Sequence, residues 1–304
     1  MRAAGESTRL RLLALLDRAD LTVTDLVNIL GQSQPRISRH LKLLVEAGLA
    51  ERFQEGAFAY FRAVQRGGAR RFLDTILTPL DPNDEQLATD ADALSTIRAR
   101  RAEKAQSYFS ANAEQWNRIR SLHVSEENVE TAMLELALTA PLRTMLDLGT
   151  GTGRVLELFA PHIERGVGVD ASADMLSLAR TALGGEEFGH IQVQQGDVYS
   201  LDISEAFDLV VLHQVLHFLE EPDVAISQAA ERLAPNGRML IVDFAPHEFD
   251  FLRDEHAHHR LGFSTRQVSR WLGEVGLDVE EVRSMDAEEG EADALTVMLW
   301  LAGR

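Results

Sequence analysis

The stretch Arg143-Thr-Met-Leu-Asp-Leu-Gly-Thr-Gly-Thr-Gly153 decides the fold, because an apolar run passes through Asp147 straight into glycines at every second position. The pattern predicts a strand, a tight turn and then a helix, since apolar periodicity resumes at Val155, Leu156, Leu158 and Phe159. Glycine at 149, 151 and 153 removes the side chains that would keep a nucleotide-like ligand away from the backbone, and the N-terminus of the following helix would point at that ligand. The dinucleotide fingerprint G-x-G-x-x-G is excluded, because its third glycine would fall at Arg154. A glycine turn by itself also fits a purely structural role, so the residues downstream have to discriminate.

Gly166-Val-Gly-Val-Asp170 reads as a second buried strand ending in a carboxylate. Asp170 lies 17 residues past Gly153, near the roughly 20-residue spacing of an acid that accepts hydrogen bonds from ribose hydroxyls. A helix follows from a cap at Ser172 or Asp174 through Met175, Leu176, Leu178 and Ala179, and a third strand, Ile191-Gln-Val-Gln194, runs into Gln195-Gly196-Asp197-Val198. Phe207-Asp-Leu-Val-Val-Leu-His213 is a fourth strand. Its carboxyl end carries His213, Gln214 and His217, on the edge where open parallel sheets bind ligands. Leu233-Ala-Pro-Asn-Gly237 is expected to close a helix before a fifth strand, Arg238 to Asp243. A helix from Thr265 to Val275 and two strands, 277–282 and 294–301, complete the pattern; the acidic loop 286–293 between those strands predicts antiparallel pairing.

In this order, Asp147-x-Gly149-x-Gly151-x-Gly153 and the segments after it resemble the class I S-adenosylmethionine-dependent methyltransferases over about residues 105–302. The resemblance implies a doubly wound, Rossmann-like α/β domain with a seven-stranded sheet in which one strand is reversed. It also implies S-adenosylmethionine as cofactor, with S-adenosylhomocysteine as product or effector. The cofactor site would comprise Asp147, Gly149, Gly151, Gly153, Asp170, Asp197, Val198 and His213, with Asp197 where the family's third motif reads the adenine amino group. His213 and His217 are candidate catalytic groups, as imidazole titrates near neutral pH; a histidine beside a pocket is also commonly structural. Base methyltransferases usually carry Asn/Asp-Pro-Pro-Tyr/Phe after the fourth strand, whereas His213-Gln-Val-Leu-His-Phe218 resembles the small-molecule enzymes.

The front of the chain follows another pattern. Residues 11–16, 24–30 and 33–44 read as short helices, and Ala50-Glu-Arg-Phe53 with Ala59-Tyr-Phe-Arg62 reads as a hairpin around Gly56. Ser33 is positioned to cap the third helix, and Pro35 sits in its first turn, where a missing N–H costs nothing. Ile37, Leu41 and Leu44 face inward at helical spacing, which leaves Gln34, Arg36, Ser38, Arg39, His40 and Lys42 toward water or DNA, with Arg52 on the hairpin beside them. The segment resembles the winged helix-turn-helix of ArsR-like transcriptional regulators over about residues 5–78. Gln34 to Leu49 nearly reproduces that family's run Ser-x-x-Ser-x-His-Leu-x-x-Leu-x-x-Ala-Gly-Leu. This implies binding of double-stranded DNA by a homodimer, with the apolar faces of 10–16 and 69–77 available to pair across a two-fold axis.

Charge supports the division. Met1 to Leu80 holds 12 Lys and Arg against 8 Asp and Glu, while the remainder holds 18 against 40. A basic module on an acidic protein is expected where one end meets phosphates. The expected organisation is 1–80 DNA-binding, 81–122 a helical connector with Leu94, Ile97, Tyr108, Phe109, Trp116 and Ile119 as its apolar positions, and 123–304 methyltransferase-like, with Pro79-Leu-Asp-Pro-Asn-Asp-Glu85 at the first boundary. No long apolar run or charged-then-apolar leader appears, so a cytoplasmic, non-membrane protein is expected. Zero cysteines remove the thiolates that ArsR-like metal sensors and arsenic methyltransferases use, and no metal is assigned. The segment Asp254-Glu-His256-Ala-His258-His259 reads either as borderline-metal ligands or as a polar cover over the acceptor pocket. Two functions stay open: a DNA-binding regulator whose methyltransferase domain acts on a small molecule, and a catalytically silent regulator that senses S-adenosylmethionine or S-adenosylhomocysteine.

Overall fold

The computed structural model describes residues 6–55, 58–64, 67–80, 84–112, 126–286 and 295–304, with backbone alone at 55, 58, 101–106, 108–112, 254 and 255. Gly56, Trp116, Ile119, loop residues 287–293 and the side chains of Tyr108, Phe109, Asp254 and Glu255 therefore lie outside the described residues. The chain divides into two compact units, Met1–Glu103 and Lys104–Arg304.

The first unit runs α1 (Ser7–Leu16), β1 (Leu21–Thr22), α2 (Val23–Leu30), α3 (Gln34–Glu46), β2 (Ala50–Glu55), β3 (Phe58–Ala63), α4 (Gly67–Leu77) and the front of α5 (Glu85–Asn112), a helix that continues past Glu103. Thr22 and Asp25 form a reciprocal capping box at the start of α2, satisfying two backbone donors that would otherwise be orphaned. Gly31 ends α2 in the left-handed region at φ 62°. Strands order β1-β3-β2, all antiparallel, and the β2–β3 hairpin makes the wing. Leu12, Leu13, Leu16, Leu26, Ile37, Leu41, Leu44, Leu73 and Leu94 form one apolar core. Leu12, Leu13, Leu15, Leu16 and Leu73 are buried inside this unit, while Leu10 on α1 and Phe72, Ile76 and Leu77 on α4 stay half-buried. The front of α5 belongs to the same core: Leu94 is buried, and Asp90, itself 2% exposed, takes a two-pronged bond from Arg11 at 2.6 Å per contact.

The second unit holds α6 (Glu126–Ala137), β4 (Thr144–Leu148), α7 (Arg154–Phe159), β5 (Arg165–Asp170), α8 (Ala173–Ala182), β6 (Ile191–Gln195), β7 (Phe207–His213), α9 (Pro222–Ala230), β8 (Leu233–Phe244), α10 (Phe251–Glu255), α11 (Thr265–Glu274), β9 (Asp278–Met285) and β10 (Val297–Gly303). Its seven strands order β6-β5-β4-β7-β8-β10-β9, with β10 antiparallel to both neighbours and the β6–β8 stretch parallel. Helices on both faces produce two apolar clusters, one around Phe207, Ile226, Trp271 and Trp300, the other around Met133, Phe159, Leu240 and Leu299. Such burial on both faces explains why β4, β7 and β8 read as continuous apolar runs. The expected helix end at Leu233–Gly237 belongs instead to the strand: α9 stops at Ala230, and the register slips from Phe207↔Leu233 to Leu209↔Arg238, so Pro235-Asn236-Gly237 bulges out. Asn236 takes φ 61°, and a Cβ on Gly237 would lie 2.8 Å from the Phe207 carbonyl oxygen. Turn residues here mark a bulge, not a helix stop. No helix among the described residues is long and apolar enough to cross a membrane.

Candidate cofactor and DNA-binding sites

The sheet brings the predicted cofactor residues to one edge, the carboxyl ends of β4, β5, β6 and β7. Gly149, Gly151 and Gly153 all adopt left-handed φ, at 75°, 55° and 86°. Any other residue there would be strained. Two of the three are also sterically required: a Cβ on Gly149 would sit 2.5 Å from Val215 Cγ2, and one on Gly153 would sit 2.8 Å from Leu183 Cδ1. The turn is clamped to the adjacent strand, because the N–H groups of Gly149 and Thr150 both donate to the Val169 carbonyl at 2.8 and 3.0 Å.

Asp170 is the organising carboxylate. Its Oδ2 accepts the Gly151 N–H and its Oδ1 the Ser172 N–H, each at 2.8 Å, joining the glycine turn to the cap of α8. Burial pushes this carboxyl above the usual range, opposed by those two backbone bonds. Ser172, and not Asp174, is the α8 cap, accepting the Met175 N–H at 3.3 Å. Asp147 is buried at the end of β4, whereas Asp197 is exposed with Oδ1 accepting the Tyr199 N–H at 2.9 Å, and Val198 packs partly buried against the core. His213 ends β7, half-buried. The residues expected at a nucleoside cofactor, Asp147, the 149–153 backbone, Asp170, Asp197, Val198 and His213, thus all lie at or just beyond the carboxyl ends of these strands, and a side-chain-free turn beside a buried carboxylate fits such a ligand.

Arg154, where a dinucleotide fold would have glycine, makes a two-pronged pair with Glu130 of α6 at 2.8 and 2.7 Å and a third bond to Glu157. It fastens α6 over α7. His217 occupies a 3-10 turn, Leu216–Phe218, and is 2% exposed. Its Nδ1 lies 2.8 Å from Asp243 Oδ1, and its backbone N–H donates to Asp243 Oδ2 at 3.3 Å. The composition of β8 hid Asp243, which reads as the last residue of a strand; only its place at the ligand edge marks it. His258 packs against His217 at a tilt of 33° with ring centroids 4.2 Å apart, so the segment after β8 folds over this end of the sheet. No group of three or more metal-ligating side chains occurs among the described residues.

In the first unit, α3 exposes Gln34, Arg36, Ser38, Arg39 and Lys42, and Arg52 is exposed on β2. His40 departs from the expectation. It is 9% exposed and faces the start of α1, with Glu6 Oε2 at 3.6 Å and Arg9 at 3.5 Å. Spacing explains it: 37, 40, 41 and 44 share one helical face, so the buried stripe takes in the histidine. Glu6 also reaches Arg36 at 3.9 Å and caps α1 through the Arg9 N–H. Ser33 precedes α3 without a side-chain capping bond, leaving Pro35 as the start signal.

A seven-stranded sheet of this order with a glycine turn at its ligand edge defines a methyltransferase-type α/β unit, and the helices ahead of it define a winged helix-turn-helix. A family model described as a methyltransferase domain matches residues 146–241, and one described as bacterial regulatory protein, arsR family, matches residues 6–52. The arsenic resistance transcriptional regulator ArsR1 of Pseudomonas putida is 35% identical over 98 residues, covering 32% of this chain and 75% of that one. The uncharacterised methyltransferase YcgJ of Bacillus subtilis is 29% identical over 154 residues, covering 50% of this chain and 59% of its own. The chain spans about half to three-fifths of the length of the curated methyltransferase relatives it matches. Among solved structures, the N-methyltransferase NodS of Bradyrhizobium japonicum in complex with S-adenosylhomocysteine shares the fold, with TM-score 0.54, 22% identity and coverage of 66% of this chain and 97% of that one. The chain belongs to the ArsR family of bacterial regulators and carries a methyltransferase domain.

Proposed function

We propose that this protein is a DNA-binding transcriptional regulator whose second unit binds S-adenosylmethionine and passes its methyl group to a small acceptor. The observation that carries the reading is the joined pair of the left-handed glycine turn and Asp170, a side-chain-free backbone edge bonded to a largely buried carboxylate. Asp170 would take the ribose, the 149–153 backbone the amino-acid end and Asp197 with Val198 the adenine. Gln34, Arg36, Ser38, Arg39, Lys42 and Arg52 would meet DNA, Arg36 and Arg39 reading base edges. The exposed cationic face of α3 supports this, and a homodimer would set two such helices in successive major grooves. Transfer from a sulfonium asks mainly for alignment of acceptor and methyl, which a rigid sheet edge supplies. The test is calorimetric titration with S-adenosylmethionine and S-adenosylhomocysteine, followed by assay of S-adenosylhomocysteine release with a cell-extract acceptor pool. Absence of binding by either ligand would refute the reading.

The fusion itself favours a second reading, in which the cofactor or its product acts as effector. A ligand shifts operator affinity only if it prefers one DNA-binding state, and a typical coupling of about 1–3 kcal/mol would change that affinity about 5- to 150-fold. Linkage requires operator DNA to shift the ligand's constant by the same factor. Equal constants for free protein and for the operator complex would exclude this second reading.

A further inference from the structure

Resting on the proposed cofactor site, the geometry points to His217 as the base for an acceptor that must lose a proton, a flat aromatic hydroxyl, with Asp243 as its positioning residue. Asp243 is fully buried and accepts three bonds: His217 Nδ1 at 2.8 Å, the His217 N–H at 3.3 Å and the Phe244 N–H at 2.8 Å. A carboxylate so placed fixes Nδ1 as the protonated nitrogen and leaves the Nε2 lone pair for an acceptor. Among the described residues Asp243 is the ring's only hydrogen-bond partner. His217 also sits at the right end of the sheet, two residues beyond the Val215 side chain that fills the space a Cβ on Gly149 would need.

The rings around it argue for the acceptor's class. Phe218, Phe244 and His258 lie with centroids 4.0, 5.0 and 4.2 Å from the imidazole, and the backbone N–H groups of His259 and Arg260 hold the overlying segment down on the His217 carbonyl at 2.8 and 2.9 Å. The rings pack on the imidazole itself, so an acceptor that reaches Nε2 would meet aromatic surface, which favours a planar apolar body with one polar atom. In the reaction the acceptor's hydroxyl proton moves to Nε2 and its oxygen lone pair forms the new O–CH3 bond. The S–CH3 bond breaks with its electron pair returning to sulfur, and the imidazolium then sheds the proton to water.

The test uses 4-nitrophenol, whose phenolate is coloured, added to the wild-type protein saturated with S-adenosylhomocysteine. The expected result is a downward shift of the bound probe's apparent pKa by about one unit or more, lost in Asp243→Asn and in His217→Gln. In turnover assays with the same phenol, His217→Gln should lower kcat about 10²- to 10⁴-fold with KM little changed. A bound probe that titrates as it does free in water, in wild-type protein that binds S-adenosylhomocysteine, overturns the assignment while leaving the cofactor site intact. Failure to bind S-adenosylhomocysteine would instead defeat the reading beneath it. Because the wild-type titration needs no variant, misfolding of a substituted protein cannot blur the outcome.

Discussion

The turn at residues 149–153 and helix α3, the two regions proposed to meet ligands, are built in opposite ways. The turn works through backbone: three left-handed glycines, N–H groups tied to Val169 and Asp170, and neighbours so close that a methyl group would collide. Helix α3 works through side chains that stand in solvent above a buried stripe of Ile37, His40, Leu41 and Leu44. In the first region the proposed site and the fold share the same atoms, so loss of the one is expected to cost the other. In the second they are separable, and binding can be lost from a protein that folds normally.

The sharpest way to break this contrast is Gly149→Val. The added Cβ meets Val215 at 2.5 Å, and the backbone at φ 75° disfavours a branched residue. Overpacking of about 1–3 kcal/mol adds to about 1–2 kcal/mol for the left-handed conformation. The expected outcome is a lowered melting temperature of the second unit together with loss of S-adenosylhomocysteine binding. Combining it with Val215→Ala should recover part of the stability. A variant of unchanged melting temperature would show that the turn is looser than its contacts imply.

Asp170→Ala comes next. Losing a charged hydrogen-bond partner costs roughly 1.5–3 kcal/mol of binding, equally for S-adenosylmethionine and S-adenosylhomocysteine because the ribose is common to both. The pH dependence has a definite sign. Burial raises this carboxyl, so its contribution to folding is greatest below the ordinary carboxylate value and is lost as pH rises through the raised one. Ribose recognition needs the ionised form, so ligand affinity should fall as pH drops through that raised value. Calorimetry across this window, with Asp170→Asn as the flat control, separates the two trends. A flat wild-type profile would count against Asp170 as the ribose ligand.

These expectations also mark what the sequence made legible. Periodicity places β4, β5 and β7 because strands buried on both faces leave unbroken apolar runs, and glycine spacing locates the tight turn after β4 because only that residue tolerates the required φ. What stayed hidden was pairing over long sequence distance. Asp243 gives no local sign that it will face His217, nor does Gly168 show that Thr150 will lie where its Cβ would be, 2.8 Å from Oγ1. His40 reads as outward in the sequence but turns inward, because a polar residue bordering the apolar stripe of a helix fits either side, and Glu6, the cap of α1, with Arg9 settles it. Asp90 likewise ties the start of α5 to α1, a contact 79 residues apart in sequence.

Within α3 the contrast can be sharpened side by side. Arg36→Ala and Arg39→Ala should each cost about 1–3 kcal/mol of discrimination at one base pair while changing stability by no more than about 0.5 kcal/mol and leaving cofactor binding intact. His40→Ala should do the reverse, lowering stability by about 1 kcal/mol through lost burial and contacts to Glu6 and Arg9, with sequence preference preserved. Gel shifts on the protein's own promoter, read beside thermal melts, check both. Specific binding that survives both arginine changes at moderate salt would mean that α3 does not read the bases.

The smallest effect is expected at Lys42, whose side chain is 77% exposed and whose ammonium lies 3.8 Å from Glu46 Oε1 one turn along α3. An exposed i,i+4 pair of this kind contributes little to stability, so Lys42→Ala should leave the fold untouched. Its predicted role is electrostatic: on DNA the lysine would leave Glu46 for a phosphate and displace a condensed counterion. Removing it should weaken binding to operator and unrelated DNA by the same factor, and it should flatten the dependence of log affinity on log salt by about one unit per protomer. Sequence preference should not change, which separates this residue from Arg36 and Arg39 on the same helix. A salt titration of wild type and variant on both DNAs reads all three quantities at once, and an unchanged slope would remove Lys42 from the phosphate contacts.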